Sequence, residues 1–289
     1  MSGILMGLLC AASWAIGSVM MRDLSRKLDP FTLNAPRTTV GGLAMLAITL
    51  LSGRSAGYGA VTLPELGFML GSMLVGGGIG DTLYVISLKR IGVSRAFPIS
   101  SVYPAITVLL GVAFLSESLS LRLVAGMVLV VVGVVLISYQ PRHQTLPEDG
   151  ATGGVVAALG AAVMWAVAAI LVAPGIAGHD TVMVASIRVT ALAIALWLVV
   201  ALRKTGGLLK QLDWREWVIV AVGGFIGWGL GSMLFVETIA ALGPAKAAII
   251  TSSSPLFALP LSLVFLKERP TWLVPVGTAL AVAGLVLVS

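Results

Sequence analysis

Two stretches, GDTLYVISLKRIGVSRAFPISSVYP at 80–104 and GSMLFVETIAALGPAKAAIITSSSP at 231–255, decide the architecture. Laid on one another without a gap, they agree at 8 of 25 positions, Gly92 with Gly243 and Pro104 with Pro255 among them. The offset is 151 residues, and it holds beyond these stretches. Trp14 falls on Trp165, Arg37 on Arg188 and Glu117 on Glu268. Gly76, Gly78 and Gly80 fall on Gly227, Gly229 and Gly231, and Gly126 and Gly133 fall on Gly277 and Gly284. An apolar composition produces chance matches of Leu and Val, but not readily of Arg and Glu. The chain therefore reads as two copies of one unit, 1–139 and 153–289, joined by a polar linker at 140–152.

Composition says what each copy is made of. Of 289 residues, 58% are apolar and only 10% charged, and mean hydropathy is +1.06. A soluble domain carries about 25% charged residues, so this chain has too little polar surface to cover a globule in water. A bilayer core is about 30 Å thick and needs roughly 20 apolar residues per helix. Ten segments qualify: 3–21, 32–52, 65–88, 95–115, 120–139, 153–173, 182–202, 216–239, 246–266 and 271–288. Runs such as 128–136 are apolar without alternation, which argues for helices and against a membrane barrel. The predicted fold class is all-α and integral to the membrane, with ten transmembrane helices. Trp14 and Gly17 carry segment 1 beyond the apolar core of a signal peptide, so it is expected to stay in the membrane.

Five segments per copy is an odd number, so the second copy enters the bilayer from the opposite side and the repeat is inverted. Loop charge tests this independently. The odd-numbered linkers hold 13 of the 18 Lys and Arg. With charges at segment margins counted in the adjoining linker, the even-numbered linkers and both termini hold only Arg54, Arg122 and Lys246, and Arg37 and Arg188 lie inside segments. By the positive-inside rule the odd linkers are cytoplasmic and both termini face outward. The net charge of +6 and the pI near 9.8 are thus a topology signal, and no nucleic-acid partner is expected. The location expected is a bacterial inner membrane.

With its Trp in the first segment of each half (SWAIG at 13–17, Met164 and Trp165), Arg early in the second, glycines in the third, Pro in the fourth and acidic Glu117 and Glu268 after the fourth, the chain resembles the EamA type of the drug/metabolite transporter superfamily. The resemblance covers nearly the whole chain. It implies a ten-helix basket around a central cavity that moves small metabolites by alternating access. Members are often drawn with cytoplasmic termini, and the charge count here departs from that picture.

Several residue sets carry candidate roles. Gly76 and Gly80, with Gly227 and Gly231, put small residues on one face of segments 3 and 8, for close packing or for ligand room. Gly126, Gly133, Gly277 and Gly284 recur every two turns on segments 5 and 10 and are expected to form the contact between the halves. Trp14, Tyr84, Phe97, Tyr103, Trp165 and Phe235 fall within segments. Trp14 and Trp165 lie midway, away from the interface where Trp usually collects. Such a Trp either packs or walls a cavity that stacks flat or cationic ligands. The substrate-facing set expected is Trp14, Tyr84, Tyr103, Trp165, Phe235 and Ser253. Pro98, Pro104, Pro255 and Pro260 break segments 4 and 9. Nearby hydroxyls, Ser100, Ser101 and 251–254, either mend the kinks or line the cavity.

Ionisable groups inside a membrane are costly and mark function by default. Asp81, whose counterpart is Ser232, is the candidate for proton coupling. Glu237, near the end of segment 8, reads as a solvated end charge. Arg37 shares a side with Glu268 and Asp81, and Arg188 shares a side with Glu117 and Glu237. Arg–carboxylate pairs, Arg37 with Glu268 and Arg188 with Glu117, are expected to gate the pathway or join the repeats, unless each Arg snorkels to its own interface.

Catalytic and metal signatures are absent from the sequence. His143 and His179 lie in linkers and read as solvated. One cysteine, Cys10, allows no internal disulfide. There is no P-loop, and no cofactor or metal is expected. The function expected is secondary transport of a small organic metabolite such as an amino acid or nucleoside. Export is favoured, by a monomer or weak homo-oligomer. The alternatives are an integral-membrane enzyme or a non-transporting scaffold.

Overall fold

The computed structural model describes residues 2–21, 24–138, 151–176, 178–266 and 272–288. Every regular element among them is helical. The linker expected at 140–152 is outside the described residues up to 150, and so are His143 and Glu268.

Helix starts and stops follow local chemistry, and they repeat. Asp29 caps helix Pro30–Leu51, accepting from Phe31 N at 3.1 Å and Thr32 N at 3.3 Å, with Pro30 in the first turn. Asp180, its counterpart at the same 151-residue offset, caps helix Thr181–Arg203 through Val182 N and Met183 N. Thr62 with Glu65 and Asp213 with Glu216 form capping boxes at the starts of Leu63–Met73 and Trp214–Gly224. Each cap satisfies backbone N–H groups that the helix itself leaves free. Gly92 (φ +71°) and Gly243 (φ +82°) occupy a backbone region that other residues rarely adopt, and each parts two helices.

Seven helices are long and apolar enough to cross a bilayer alone: Gly3–Met20, Leu63–Ile91, Arg95–Leu115, Leu121–Ser138, Thr152–Ile176, Thr181–Arg203 and Trp214–Leu242. Pro30–Leu51 meets Arg54–Ala60 at a bend of 102°. Leu63–Ile91 and Trp214–Leu242 are each interrupted by a π-helical turn at their glycines, Leu74–Gly80 and Phe225–Leu230. Such turns are frequent at functional positions. Segment 4 is broken between Val93–Ser100 and Tyr103–Leu115, and segment 9 between Pro244–Thr251 and Ser254–Leu266. The hydroxyls there bond back to their own chain: Ser101 Oγ donates to Phe97 O at 2.8 Å, and Ser253 Oγ to Ile250 O at 2.6 Å. Both carbonyls also accept a backbone N–H, from Ser101 and from Ser253.

The halves interlock. Gly3–Met20 packs against Phe225–Leu230, Gly231–Leu242 and Ser254–Leu266 of the second half. Its counterpart Ala151–Ile176 packs against Leu63–Met73, Leu74–Gly80, Asp81–Ile91 and Tyr103–Leu115 of the first. At one edge Leu121–Ser138 lies on Leu273–Val288 with backbone touching backbone. A Cβ on Gly133 would sit 2.5 Å from Gly277 O, and a Cβ on Gly277 would sit 2.5 Å from Gly133 O. Val130, Val134 and Leu123 close an apolar cluster there with Ala245, Ile249, Ile250 and Val288. Elsewhere large apolar side chains face outward, with Leu51 89% and Phe114 72% exposed. Water does not tolerate so much contiguous apolar surface, and lipid does.

Candidate functional site

The helix breaks and the interlocking pattern bring aromatic side chains of the two halves together. Trp165, on Ala151–Ile176, donates from Nε1 to Asp81 Oδ1 at 2.8 Å. Its ring lies 5.2 Å from that of Tyr84 and 5.9 Å from Tyr103, the latter edge-on. Gly80 makes room: a Cβ there would lie 2.8 Å from Trp165 Cδ1. The counterpart set is built alike. Trp14 lies 5.4 Å from Phe235, and a Cβ on Gly231 would lie 2.7 Å from Trp14 Nε1. Tyr84 and Phe235 are themselves repeat partners, so each half lends its first-segment Trp to an aromatic on the other half's third segment. Tyr103 ties on a further helix, its hydroxyl donating to Ala248 O at 3.0 Å and lying 3.4 Å from Thr251 Oγ1.

Ser253 does not join this set. It is fully buried with its hydroxyl donating to Ile250 O, which also accepts the Ser253 backbone N–H at the break in segment 9. Of the packing glycines, Gly76 faces Ala168, whose Cβ would be 2.8 Å from a Cβ at Gly76. Gly227 faces Gly17 and the guanidinium of Arg37.

The arginines sit deep. Arg37 donates from Nη1 to Asn34 Oδ1 at 2.7 Å, and its Nε has no partner among the described residues. No direct ion pair joins it to Asp81. Arg188 is 3% exposed and donates from Nε to Ser72 Oγ at 2.9 Å, while its Nη1 has no partner. No ion pair joins Arg188 to Glu117. The expected pairing is replaced by a helix cap: Glu117 Oε1 accepts from Ala245 N at 3.4 Å, at the start of Pro244–Thr251. A Cβ at Gly111 or at Gly243 would collide with that carboxylate. Burial pushes the Glu117 carboxyl above the usual range, and the Ala245 N–H opposes the shift. Glu268, expected opposite Arg37, is outside the described residues.

Three features escaped the sequence reading. His179 is half-buried, with Nε2 3.1 Å from Glu65 Oε2, so it is not a fully solvated loop residue. Glu237 accepts from the Thr181 hydroxyl instead of ending in solvent. A cavity of about 730 Å³ opens between the halves beside Glu117, His179, Thr181, Gly243 and Pro244. The acidic residue following Gly111 and the lone histidine beside an N-cap aspartate were the available signals. Among the described residues no three His, Cys, Asp or Glu side chains cluster as metal ligands.

An all-helical membrane body with an interlocked core and mid-membrane aromatic and charged groups defines a carrier-like membrane protein. The chain belongs to the EamA-like transporter family, which it matches over residues 1–139 and 152–289. It is a multi-pass membrane protein in the lipid bilayer, of a family of transporters. It is similar to a protein of Archaeoglobus fulgidus described as an uncharacterized transporter, at 30% identity over 98% of this chain and 96% of that one. An uncharacterized protein of Methanocaldococcus jannaschii is 28% identical over 47% of this chain but 96% of its own length. A WAT1-related chloroplastic protein of Arabidopsis thaliana is 24% identical over 46% of this chain and 32% of that one. A solved crystal structure shares the fold with a TM-score of 0.80 at 21% identity, covering 99% of this chain and 96% of that one.

Proposed function

We propose that this chain is a secondary transporter, exporting a small organic metabolite such as an amino acid or nucleoside from a bacterial cell. Ten helices in two inverted five-helix repeats would enclose the substrate and open to each face in turn. In this reading the odd linkers are cytoplasmic and both termini lie outside. The observation that carries it is the matched pair of aromatic contacts, Trp14 with Phe235 and Trp165 with Tyr84. A packing role alone does not call for two mid-membrane indoles held by the opposite half. With Tyr103 they supply flat surfaces for an amphipathic solute, and Asp81 supplies the group that exchanges a proton. Arg37 and Arg188, at equivalent depths of the two halves, suit the two mouths of the pathway. The π-helical turns and broken segments 4 and 9 provide points about which one half bends relative to the other.

Counterflow in proteoliposomes across a panel of metabolites tests this reading. The expected result is substrate-dependent exchange that Trp14→Ala and Trp165→Ala abolish with expression preserved. Exchange indifferent to both substitutions, or none for any metabolite of a broad panel, overturns it.

A further inference from the structure

Inexact repetition exposes a second feature. In the first half, Asp81 receives the indole N–H of Trp165, and Arg37 is the arginine of the same half's second segment. The residues at the same places in the other copy are Ser232, Trp14 and Arg188. The carboxylate has become a hydroxyl, and every group left there is a hydrogen-bond donor. Ser232 is 4% exposed and its Oγ has no partner. Arg188 is 3% exposed with Nη1 unpartnered and, among the described residues, no acidic partner in an ion pair. The Trp14 indole makes no hydrogen bond among the described residues.

These donors converge. Trp14 Nε1 lies against Gly231, next to Ser232. Helices Thr181–Arg203 and Gly231–Leu242 run antiparallel, with Thr181 bonded to Glu237 and Ala185 clustered with Met233. That register carries Arg188 to within about one turn of Ser232. A guanidinium sealed from water without a counter-charge is strongly destabilising, and an intramembrane arginine is normally paired. The first copy contains its own anion, and the second lacks one.

We propose that Trp14, Ser232 and Arg188 form a receptor for a carboxylate borne by the transported molecule, filling the place that Asp81 fills in the other copy. This rests on the transporter reading and names the substrate class. One guanidinium with two neutral donors matches a singly charged carboxylate; a phosphate dianion would call for several cations. The rest of the ligand then lies toward Phe235.

The test uses the full-length protein in detergent and matched probes: phenylacetate against phenylacetamide, hexanoate against hexanamide, and L-leucine against L-leucinamide. Unfolding temperature is followed against probe concentration. At least one carboxylate is expected to stabilise the protein with an apparent affinity about tenfold or more above its amide. Ser232→Asp, which installs the missing anion, should abolish the carboxylate response, and Arg188→Gln should do the same. If either variant fails to fold, the matched probes on the unaltered protein decide. Equal response to amide and acid, no response to any carboxylate, or a Ser232→Asp variant that still responds overturns the receptor. Flux separates the two readings. Carboxylate binding without exchange in proteoliposomes keeps the receptor and removes the transporter, whereas exchange of uncharged solutes without carboxylate preference does the reverse.

Discussion

Trp165 and Asp81 are joined by a 2.8 Å hydrogen bond between the two halves of the chain, the indole N–H donating to the carboxylate. Bonds to a charged acceptor contribute roughly 1.5–3 kcal/mol, more than neutral ones. This one couples the first helix of the second half to the glycine-rich helix of the first. If Asp81 carries the coupling proton, Asp81→Asn is expected to retain substrate counterflow while losing accumulation driven by a pH gradient. Trp165→Phe, which keeps a ring and removes the donor, should weaken that drive without eliminating it. Gradient-driven uptake by Asp81→Asn at the unaltered rate would remove Asp81 from the coupling.

The glycines beside the two indoles make a paired test. A Cβ at Gly80 would press on Trp165 Cδ1 at 2.8 Å, and one at Gly231 on Trp14 Nε1 at 2.7 Å. Both indoles must shift in the alanine variants. Gly80→Ala should therefore weaken coupling as Trp165→Phe does, since it moves the donor off Asp81. Gly231→Ala should weaken substrate affinity instead, because Trp14 has no carboxylate to lose. Measuring apparent affinity and pH-gradient drive on both variants distinguishes these outcomes, and identical profiles would contradict the division of labour.

The helical membrane body was legible in composition and segment length, which report directly on burial in lipid. The internal offset was legible because spacing survives where identity does not. The caps were readable too, since Asp29/Asp180 and the Thr62–Glu65 and Asp213–Glu216 boxes stand at that offset, but they lie in polar linkers that counting charges treats as mere topology. The partners of Arg188 and Glu117 were not legible. A charge in sequence advertises an opposite charge, yet Arg188 meets a serine hydroxyl and Glu117 a helix N-terminus. Backbone amides and uncharged hydroxyls satisfy ions without leaving a compositional mark. The bond of Ser253 was not legible for a related reason: a hydroxyl on a helix can bond back to a carbonyl of its own preceding turn, here Ile250 O, and leaves no mark in the sequence.

Glu117 titrates in a place where its charge is disfavoured. Burial raises its folded-state pKa, and the unfolded value is near the ordinary ~4.3. A carboxyl with a raised folded pKa contributes stability that is full below the unfolded value and is lost as pH rises through the folded one. The unaltered protein should therefore lose stability relative to Glu117→Gln as pH climbs from about 4 past the ordinary carboxylate range. Glu117→Gln keeps an acceptor for Ala245 N and should show a flatter profile over that window. Unfolding temperatures of the two proteins between acid and neutral pH provide the check. Parallel profiles would mean that solvent reaches the carboxylate more freely than its position between Gly111 and Gly243 implies.

The edge contact between the halves depends on four glycines with no slack. At Gly133 a methyl group would meet Gly277 O at 2.5 Å and Ala281 N at 2.6 Å, and at Gly277 it would meet Gly133 O at 2.5 Å. These neighbours are backbone, which moves only if the whole helix moves. Gly133→Ala or Gly277→Ala should separate Leu121–Ser138 from Leu273–Val288 and destabilise the protein by about 1–3 kcal/mol, as overpacking does. Gly67 is the control, because a Cβ there meets nothing within 4 Å. Gly67→Ala should be neutral or stabilising by up to about 1 kcal/mol, since alanine favours a helix. Thermal unfolding in one detergent ranks the three variants. If Gly133→Ala proved as stable as Gly67→Ala, the two helices would not be in backbone contact in the membrane.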